Sequence, residues 1–440
     1  MEPVKSARAA FDDQRWNGQD PAARKKVLQN FAHLISEHVE ELALTETLDM
    51  GKPIADSLAI DIPATANCFA WHGEAVDKVY DEIAPTPNSV VALIRREPLG
   101  VVGAVVPWNF PLLMAAWKLA PALACGNSVI LKPAEQSSLS ALFLGELALE
   151  AGIPPGVLNV VTGTGPTAGR ALGMHMDVDG LFFTGSTRVG KIFMEYSARS
   201  NLKKLGLELG GKSPNIILAS YKDTKHAATV SAGSAFFNQG EMCTCPSRLI
   251  VEESIHGEVV ETLKQVAGDF VPGDPLDPET TMGALVDNNH AERVMGFVKS
   301  AINEGADIAI GGKRARVDSG GCYVEPTVFD NVKNDMTVAR QEIFGPMVSV
   351  IPVKNAAEAV HVANDTNYGL AAAVWTNDLE TAHTMSRDIR AGMVYVNCYD
   401  CDDMTVPFGG FKQSGFGRDK SLHALDKYTE LKTTWINIGE

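Results

Sequence analysis

Val101-Val102-Gly103-Ala104-Val105-Val106 runs straight into Pro107-Trp108-Asn109-Phe110-Pro111 and then into Leu112–Ala124. A short β-branched run, a Pro-bounded turn and an apolar stretch at helical length predict strand, turn and helix in succession. The same texture recurs on the C-terminal side: Val129–Leu131 then Ser137–Glu150, Val157–Val161 then Pro166–Leu172, Leu181–Phe183 then a helix from Ser186, and Ile216–Leu218 then another helix. Alternation of this kind predicts a mostly parallel sheet with helices on both faces. Sheets of that class bind ligands at the carboxyl ends of their strands. A second set of strands, Leu249–Val251, Ile308–Ile310, Val348–Pro352, Ala371–Trp375 and Val394–Val396, predicts a second α/β unit.

Toward the N-terminus, Asp20-Pro21 opens a helix with a side-chain cap and a proline in the first turn. Val27, Leu28, Phe31, Leu34, Ile35 and Val39 repeat at helical spacing, and Gly51-Lys52-Pro53 ends the segment that follows. Val90–Arg96 and Thr429–Ile438 fit neither sheet; each reads as an edge strand, pairing either with another subunit or within its own chain.

The 440 residues exceed one ordinary core, so two or three domains are expected. A net charge of -16, from 38 basic and 54 acidic residues, argues against a nucleic-acid or anionic-membrane surface. The seven cysteines are scattered and odd in number, which suggests neither a disulfide framework nor a metal site. No apolar run approaches the roughly 20 residues needed to span a bilayer. Met1-Glu2-Pro3-Val4-Lys5 lacks the shape of a signal peptide, so a cytoplasmic location is expected.

Three segments carry chemistry. In Phe237-Asn238-Gln239-Gly240-Glu241-Met242-Cys243-Thr244-Cys245, a cysteine on a Gly-rich turn between helix and strand suits an activated thiol, or a buried structural one. In Leu207-Glu208-Leu209-Gly210-Gly211, a carboxylate between leucines is expected to be desolvated, which raises its pKa and suits a general base. Asn109, held between aromatics and prolines, suits an oxyanion donor, or simply a turn. The turns Gly163-Thr164-Gly165-Pro166, Gly185–Gly190 and Gly210-Gly211 follow strands, and the second puts Ser186 at a helix N-terminus, where a pyrophosphate is favoured.

With these segments in hand, the chain resembles the aldehyde dehydrogenase superfamily. The resemblance runs in order through Pro107–Pro111, Lys132-Pro133-Ala134-Glu135, Phe183–Gly190, Leu207–Pro214, Gly240–Arg248, Glu342-Ile343-Phe344-Gly345-Pro346 and Pro407-Phe408-Gly409-Gly410. It implies a Rossmann-type cofactor domain (1–79 and 98–209), an α/β catalytic domain (210–405) and a small β oligomerisation arm (80–97 and 426–440), with the site between the first two. Cys243 is then the nucleophile, Asn109 with the Cys243 amide the oxyanion site, and Glu208 the base that activates water. Lys132 and Glu135 would hold the adenosine ribose, with Gly165 and Leu209 beside the cofactor. Ser186 would meet the pyrophosphate, Val189 the adenine, and Glu342 and Phe344 the nicotinamide end. Trp117 would line the aldehyde channel. NAD is favoured over NADP because a carboxylate at Glu135 accepts from a 2'-hydroxyl and repels a 2'-phosphate, although Lys132 could meet one. A homodimer or homotetramer is implied, with no metal.

The run Asp403–Gly415, continuing from Gly417 through Leu425, together with Asp61-Ile62-Pro63, is similar to the branch holding gamma-glutamyl-gamma-aminobutyraldehyde, aminoaldehyde and guanidinobutyraldehyde dehydrogenases of polyamine and arginine catabolism. Asp61, Asp402 and Asp403 are the acids expected at the channel mouth to receive a substrate cation. The resemblance also implies that the family's initial extended segment is missing ahead of Ala7–Phe11, residues that relatives carry inside a helix. The alternatives are a broad aliphatic aldehyde dehydrogenase, an inactive truncated scaffold, and a thiol hydrolase pairing Cys243 with a histidine, for which no partner motif is present. Retention of Glu208 speaks against a CoA-acylating enzyme.

Overall fold

The computed structural model describes residues 1–439; Glu440, the end of the expected arm, lies outside them. Among the described residues there are three sheets. The first has the spatial order Gly415–Phe416, Lys204–Glu208, Gly180–Thr184, Val101–Val105, Ser128–Lys132, Leu158–Val160, and is parallel except for its first strand. Burial on both faces follows from the period of two. Val102 and Ala104 enter one core with Trp16, Phe31, Phe69 and Leu119, while Val101 and Val105 enter the opposite core with Leu181, Phe183 and Phe193.

The second sheet is ordered Asp307–Ile310, Thr327–Asp330, Met347–Val353, Arg248–Glu252, Pro214–Ile217, Ala371–Trp375, Met393–Val396, and only its first strand is antiparallel. It too divides its side chains between two cores, Ile216 and Ile250 to one side, Ile217 and Leu249 to the other.

Lys204–Glu208 and Thr327–Asp330 are strands that the sequence reading did not single out, because charge or small residues break their apolar runs. The helix Pro21–Glu37 begins where expected, but the Asp20 side chain makes no cap hydrogen bond, so proline at the first turn does that work alone. Gly51 ends the helix Val39–Met50 in the left-handed conformation. Ala7–Phe11 lies inside a helix, Glu2–Asp12.

The third sheet resolves the two segments that fit neither core. Val90–Pro98 and Thr429–Asn437 pair with each other, antiparallel, from Thr429 opposite Pro98 to Asn437 opposite Val90, and Glu82–Ala84 adds a short edge. Leu431, Trp435 and Ile438 remain exposed on this ribbon.

Arg248 links the second sheet to the turn after Glu208. Fully buried, its guanidinium donates to the carbonyls of Lys212 (3.0 Å), Val362 (3.0 Å) and Ala363 (2.9 Å) and to Asn334 Oδ1 (3.0 Å). Two of those carbonyls close the C-terminal turn of the helix Ala356–Asn364, where a cation is favoured. Arg248→Met leaves these acceptors unpaired and is expected to destabilise the fold by on the order of 3 kcal/mol. A thermal midpoint unchanged from the parent would refute this.

Candidate active site

A cavity of about 650 Å³ opens between the first and second sheets. From the first it is lined by Trp108, Asn109, Trp117, Thr184, Ser186, Glu208 and Leu209; from the second by Phe237, Cys243, Thr244, His290, Arg293, Glu342, Phe344, Tyr395, Asp400 and Asp402. Strand ends explain the convergence: Thr184 and Glu208 are the last residues of adjacent parallel strands, and Asn109 follows the third.

The thiol of Cys243 is set by a strained turn. Asn238, Gln239 and Gly240 have φ of 48°, 56° and 68°, three successive left-handed residues. Side chains hold them there. Asn238 Nδ2 donates to the main-chain oxygen of Asn109 (3.1 Å), and Gln239 Oε1 accepts from Gly283 N (3.1 Å). Asn109 Nδ2 donates to the Glu241 carbonyl (2.8 Å), which fixes the amide and leaves its second hydrogen for the cavity. Cys243 is half-buried. Burial, then the negative charges of Glu208 and Glu342, push its thiol well above the ordinary value, so the resting group is the thiol.

Glu208 is 5% exposed and its Oε1 has no hydrogen-bond partner. Burial, reinforced by Asp419, raises its carboxyl to about 8, in spite of Lys118 and Lys427. Those groups form a buried cluster in which Asp419 bridges Lys118 and Lys427. Burial pushes Asp419 up, but the two lysines more than offset it. A carboxyl poised near 8 exchanges protons readily near neutral pH.

At the other end of the cavity Glu342 accepts from Gly211 N (3.0 Å), and burial raises it to about 7. A Cβ on Gly210 would lie 2.2 Å from Glu342 Oε2, so this approach requires glycine. Phe344, at φ 59°, meets Trp108 edge-on at 5.4 Å, and burial lowers His290 to about 4, leaving a neutral ring within 2.6 Å of the Phe344 carbonyl.

Of the other expected cofactor residues, Ser186 and Leu209 line the cavity, and Lys132, Glu135, Gly165 and Val189 stand outside it. Ser186 caps the helix Thr187–Ala198, its Oγ accepting from Val189 N (3.3 Å). Lys132 is buried at the end of its strand, 3.4 Å from Glu135, whose carboxylate accepts from Gly165 N. A helix N-terminus beside paired donor and acceptor groups fits a dinucleotide. Thr184 Oγ1, buried in the cavity without a partner, supplies a further polar contact.

The three expected channel acids separate. Asp402 lines the cavity, with its carboxylate paired to buried Lys420, whose Nζ lies 5.6 Å from the Trp117 ring. Trp117 itself packs on Phe408 at 4.9 Å. Asp61 does not reach the mouth. It is fully buried in an ion pair with Lys52, and its neighbour Ile60 lines the cavity instead. Asp403 also turns away, accepting from Thr405 N (2.8 Å) and Oγ1 (2.6 Å) in the solvent. The reason is local: a π-turn at Ser57–Asp61 rotates Asp61 inward, and a short side-chain turn occupies Asp403.

Residues the sequence reading passed over are Thr184, His290, Arg293 and Asp400. Thr184 and Asp400 were findable, since both lie at or just after carboxyl ends of strands. His290 and Arg293 come from a helix, Asn288–Glu304, with no motif of its own.

Gly240→Ala tests the strained turn. The added Cβ would sit 2.2 Å from the Gly345 carbonyl at a left-handed φ, so the Cys243 turn must move. Displacement of about 1 Å costs on the order of 100-fold in kcat. A folded variant with unchanged kcat would remove the turn from the argument.

With the geometry established, known proteins can be set beside it. The pattern of the Aldehyde dehydrogenase family matches residues 2–434. The chain is 52% identical over 435 residues to NADP/NAD-dependent aldehyde dehydrogenase PuuC of Escherichia coli K12, covering 99% of this chain and 87% of that one. It superposes with a TM-score of 0.98 on gamma-glutamyl-gamma-aminobutyraldehyde dehydrogenase of Burkholderia cenocepacia J2315, at 56% identity, covering 99% and 88%. The TM-score is also 0.98 against an indole-3-acetaldehyde dehydrogenase complexed with NAD+, at 55% identity and the same coverage. The fold is the aldehyde dehydrogenase fold, the cofactor is NAD(P), and the chain belongs to the aldehyde dehydrogenase family.

Proposed function

We propose that the enzyme oxidises a short ω-amino or guanidino aldehyde to its acid through a thioester on Cys243. The observation that carries the chemistry is the meeting of Cys243, Asn109 and a desolvated Glu208 in one cavity. The Cys243 sulfur adds to the carbonyl carbon as its proton leaves, with the Glu208 carboxylate as the nearby acceptor. Asn109 Nδ2 and the Cys243 main-chain N–H stabilise the oxyanion of the thiohemiacetal. Bound NAD(P) supplies the hydride acceptor that turns this carbon into a thioester carbonyl. Glu208 then takes a proton from water as it attacks the thioester, and the acid leaves.

Lys132 and Glu135 are assigned to the adenosine ribose, Gly165 and Val189 to the adenine side, and Ser186 to the pyrophosphate. Leu209, Glu342 and Phe344 are assigned to the nicotinamide end. NAD is the preferred form, because the Glu135 carboxylate repels a 2'-phosphate. Support for a cationic aldehyde comes from the aromatic walls of Trp117 and Phe408 in a cavity that also holds carboxyl groups, and from the gamma-glutamyl-gamma-aminobutyraldehyde dehydrogenase likeness.

Cofactor (1–79, 98–209) and catalytic (210–405) domains follow the two large sheets in this reading. The ribbon of 80–97 and 426–439 is the oligomerisation arm of a homodimer or homotetramer, its exposed Leu431, Trp435 and Ile438 being apolar surface to bury. No helix among the described residues is long and apolar enough to cross a membrane. Seven free cysteines suit a reducing compartment such as the cytoplasm.

NADH formation over a panel of 3-aminopropanal, 4-aminobutanal, 4-guanidinobutanal, propanal and benzaldehyde tests the reading. The cationic aldehydes should give the highest kcat/KM, and Cys243→Ala should abolish turnover of all; equal turnover of propanal and 4-aminobutanal refutes the substrate class.

The pH dependence has a definite sign. Below about 8 Glu208 is increasingly protonated and less of it can accept a proton, so hydrolysis should accelerate as pH rises through that value. Glu208→Gln should lose that limb and about 10²- to 10⁴-fold in kcat, with the burst of NADH slowed as well as the hydrolysis that follows it. A wild-type profile flat between about pH 6 and about pH 10, roughly two units either side of that midpoint, would exclude Glu208 as the base.

A further inference from the structure

Four carboxyl groups line the cavity: Glu208, Glu342, Asp400 and Asp402. Three are engaged. Glu208 is the proposed base, Glu342 accepts from Gly211 N, and Asp402 is neutralised by Lys420. Asp400 differs. The Ser234 and Thr244 hydroxyls lower its pKa, and the negative charge of Asp402 raises it. Among the described residues, no lysine, arginine or histidine forms an ion pair with it, whereas its neighbour Asp402 holds Lys420. The fully buried aspartates of this region, Asp61 and Asp419, each hold lysine, whereas the half-buried Asp400 holds none.

A desolvated carboxylate without a cation is costly unless something supplies one. We propose that Asp400 is the specificity residue of this enzyme, receiving the ammonium or guanidinium end of the aldehyde. This rests on the amino-aldehyde reading and gives it an atom. Asp400 stands in a left-handed conformation, φ 50°, immediately after Tyr399. The buried Tyr399 hydroxyl donates to the Thr244 carbonyl (2.6 Å), one residue beyond the nucleophile. The acid thus directly follows a residue anchored beside Cys243, which sets its place relative to the sulfur.

Its surroundings suit a cation. Tyr395, Trp117 and Phe408 line the same cavity and present aromatic surface to a charge held there. The Ser234 and Thr244 hydroxyls favour the ionised carboxylate. Burial works the other way and brings the group to about 7, so a bound cation and an ionised Asp400 reinforce one another. Asp402, more exposed and already paired, attracts at longer range with less effect.

The test compares 4-aminobutanal with pentanal, which replaces the ammonium by methyl, on wild type, Asp400→Asn and Asp402→Asn. Asp400→Asn should raise KM and cut kcat/KM for 4-aminobutanal by about 10- to 100-fold, the scale of one charge-assisted hydrogen bond. Pentanal kinetics should change by clearly less than those of 4-aminobutanal, and Asp402→Asn should discriminate less than Asp400→Asn. A thermal midpoint matching wild type shows that the variant is folded. Asp400→Glu should recover part of the preference. The inference falls if Asp400→Asn keeps the wild-type ratio of the two substrates, if both fall equally, or if Asp402→Asn has the larger effect. In those cases a wild-type preference for the cationic aldehyde leaves the amino-aldehyde reading standing. Absence of that preference in the wild type overturns both.

Discussion

Glu208 ends a parallel strand with one carboxyl oxygen unpartnered and almost no contact with water, and most of the site's chemistry depends on that desolvation. A carboxylate in solvent would be ionised and weakly basic. Held between two sheets, the same group titrates near 8 and becomes a base matched to neutral conditions. The neighbouring cluster limits how far this goes. Lys118 and Lys427 bracket Asp419, and their positive charge offsets both burial and the repulsion of Asp419. Without them burial would drive Glu208 higher still, to a value at which it would rarely be ionised. The cluster thus tunes the base while contributing no atom to the cavity wall described above.

Desolvation at this place is a product of topology. Thr184 and Glu208 end neighbouring strands of one sheet, and Asp400 follows the last strand of the other. Facing carboxyl ends enclose polar side chains that a single sheet would leave in water. The nucleophile sits at the seam between the two bodies. Cys243 packs against the core of the first sheet, whereas Cys245 belongs to a core of the second, with its thiol 3.6 Å from the Ala235 carbonyl. Only Thr244 separates the cysteines in sequence, but they face different interiors, which makes Cys245 a packing residue rather than a companion thiol.

Much of this was legible because the local rules and the global fold agree. Apolar runs and glycine-bounded turns marked most of the strands, and Glu208 between two leucines announced its burial correctly. Asn109 and Cys243 sat on turns that only special residues tolerate. What remained hidden depends on long-range geometry. Asp61 reads as one more loop acid until Lys52 is seen beneath it, and a π-turn has no sequence rule that would show which way it points. The same holds for Asp402 and Asp403, adjacent in sequence yet turned to a lysine and to a threonine respectively. Lys204–Glu208 was missed as a strand because its first residue is charged, although partners on both sides compel the extended form.

Strain and burial act together at the nucleophile. Asn238, Gln239 and Gly240 occupy left-handed conformations, each disfavoured by on the order of 1 kcal/mol for the two residues that are not glycine. The hydrogen bonds from Asn238 to the Asn109 carbonyl and from Gly283 to Gln239 offset this, and both cross from one segment to another. The turn is therefore stable only when the two sheets are docked. Because Asn109 anchors the turn through its main chain and the Glu241 carbonyl through its side chain, the oxyanion donor and the sulfur are positioned by one network. A change that loosened the docking would disturb donor, thiol and base together, since none of the three owes its place to its own segment alone.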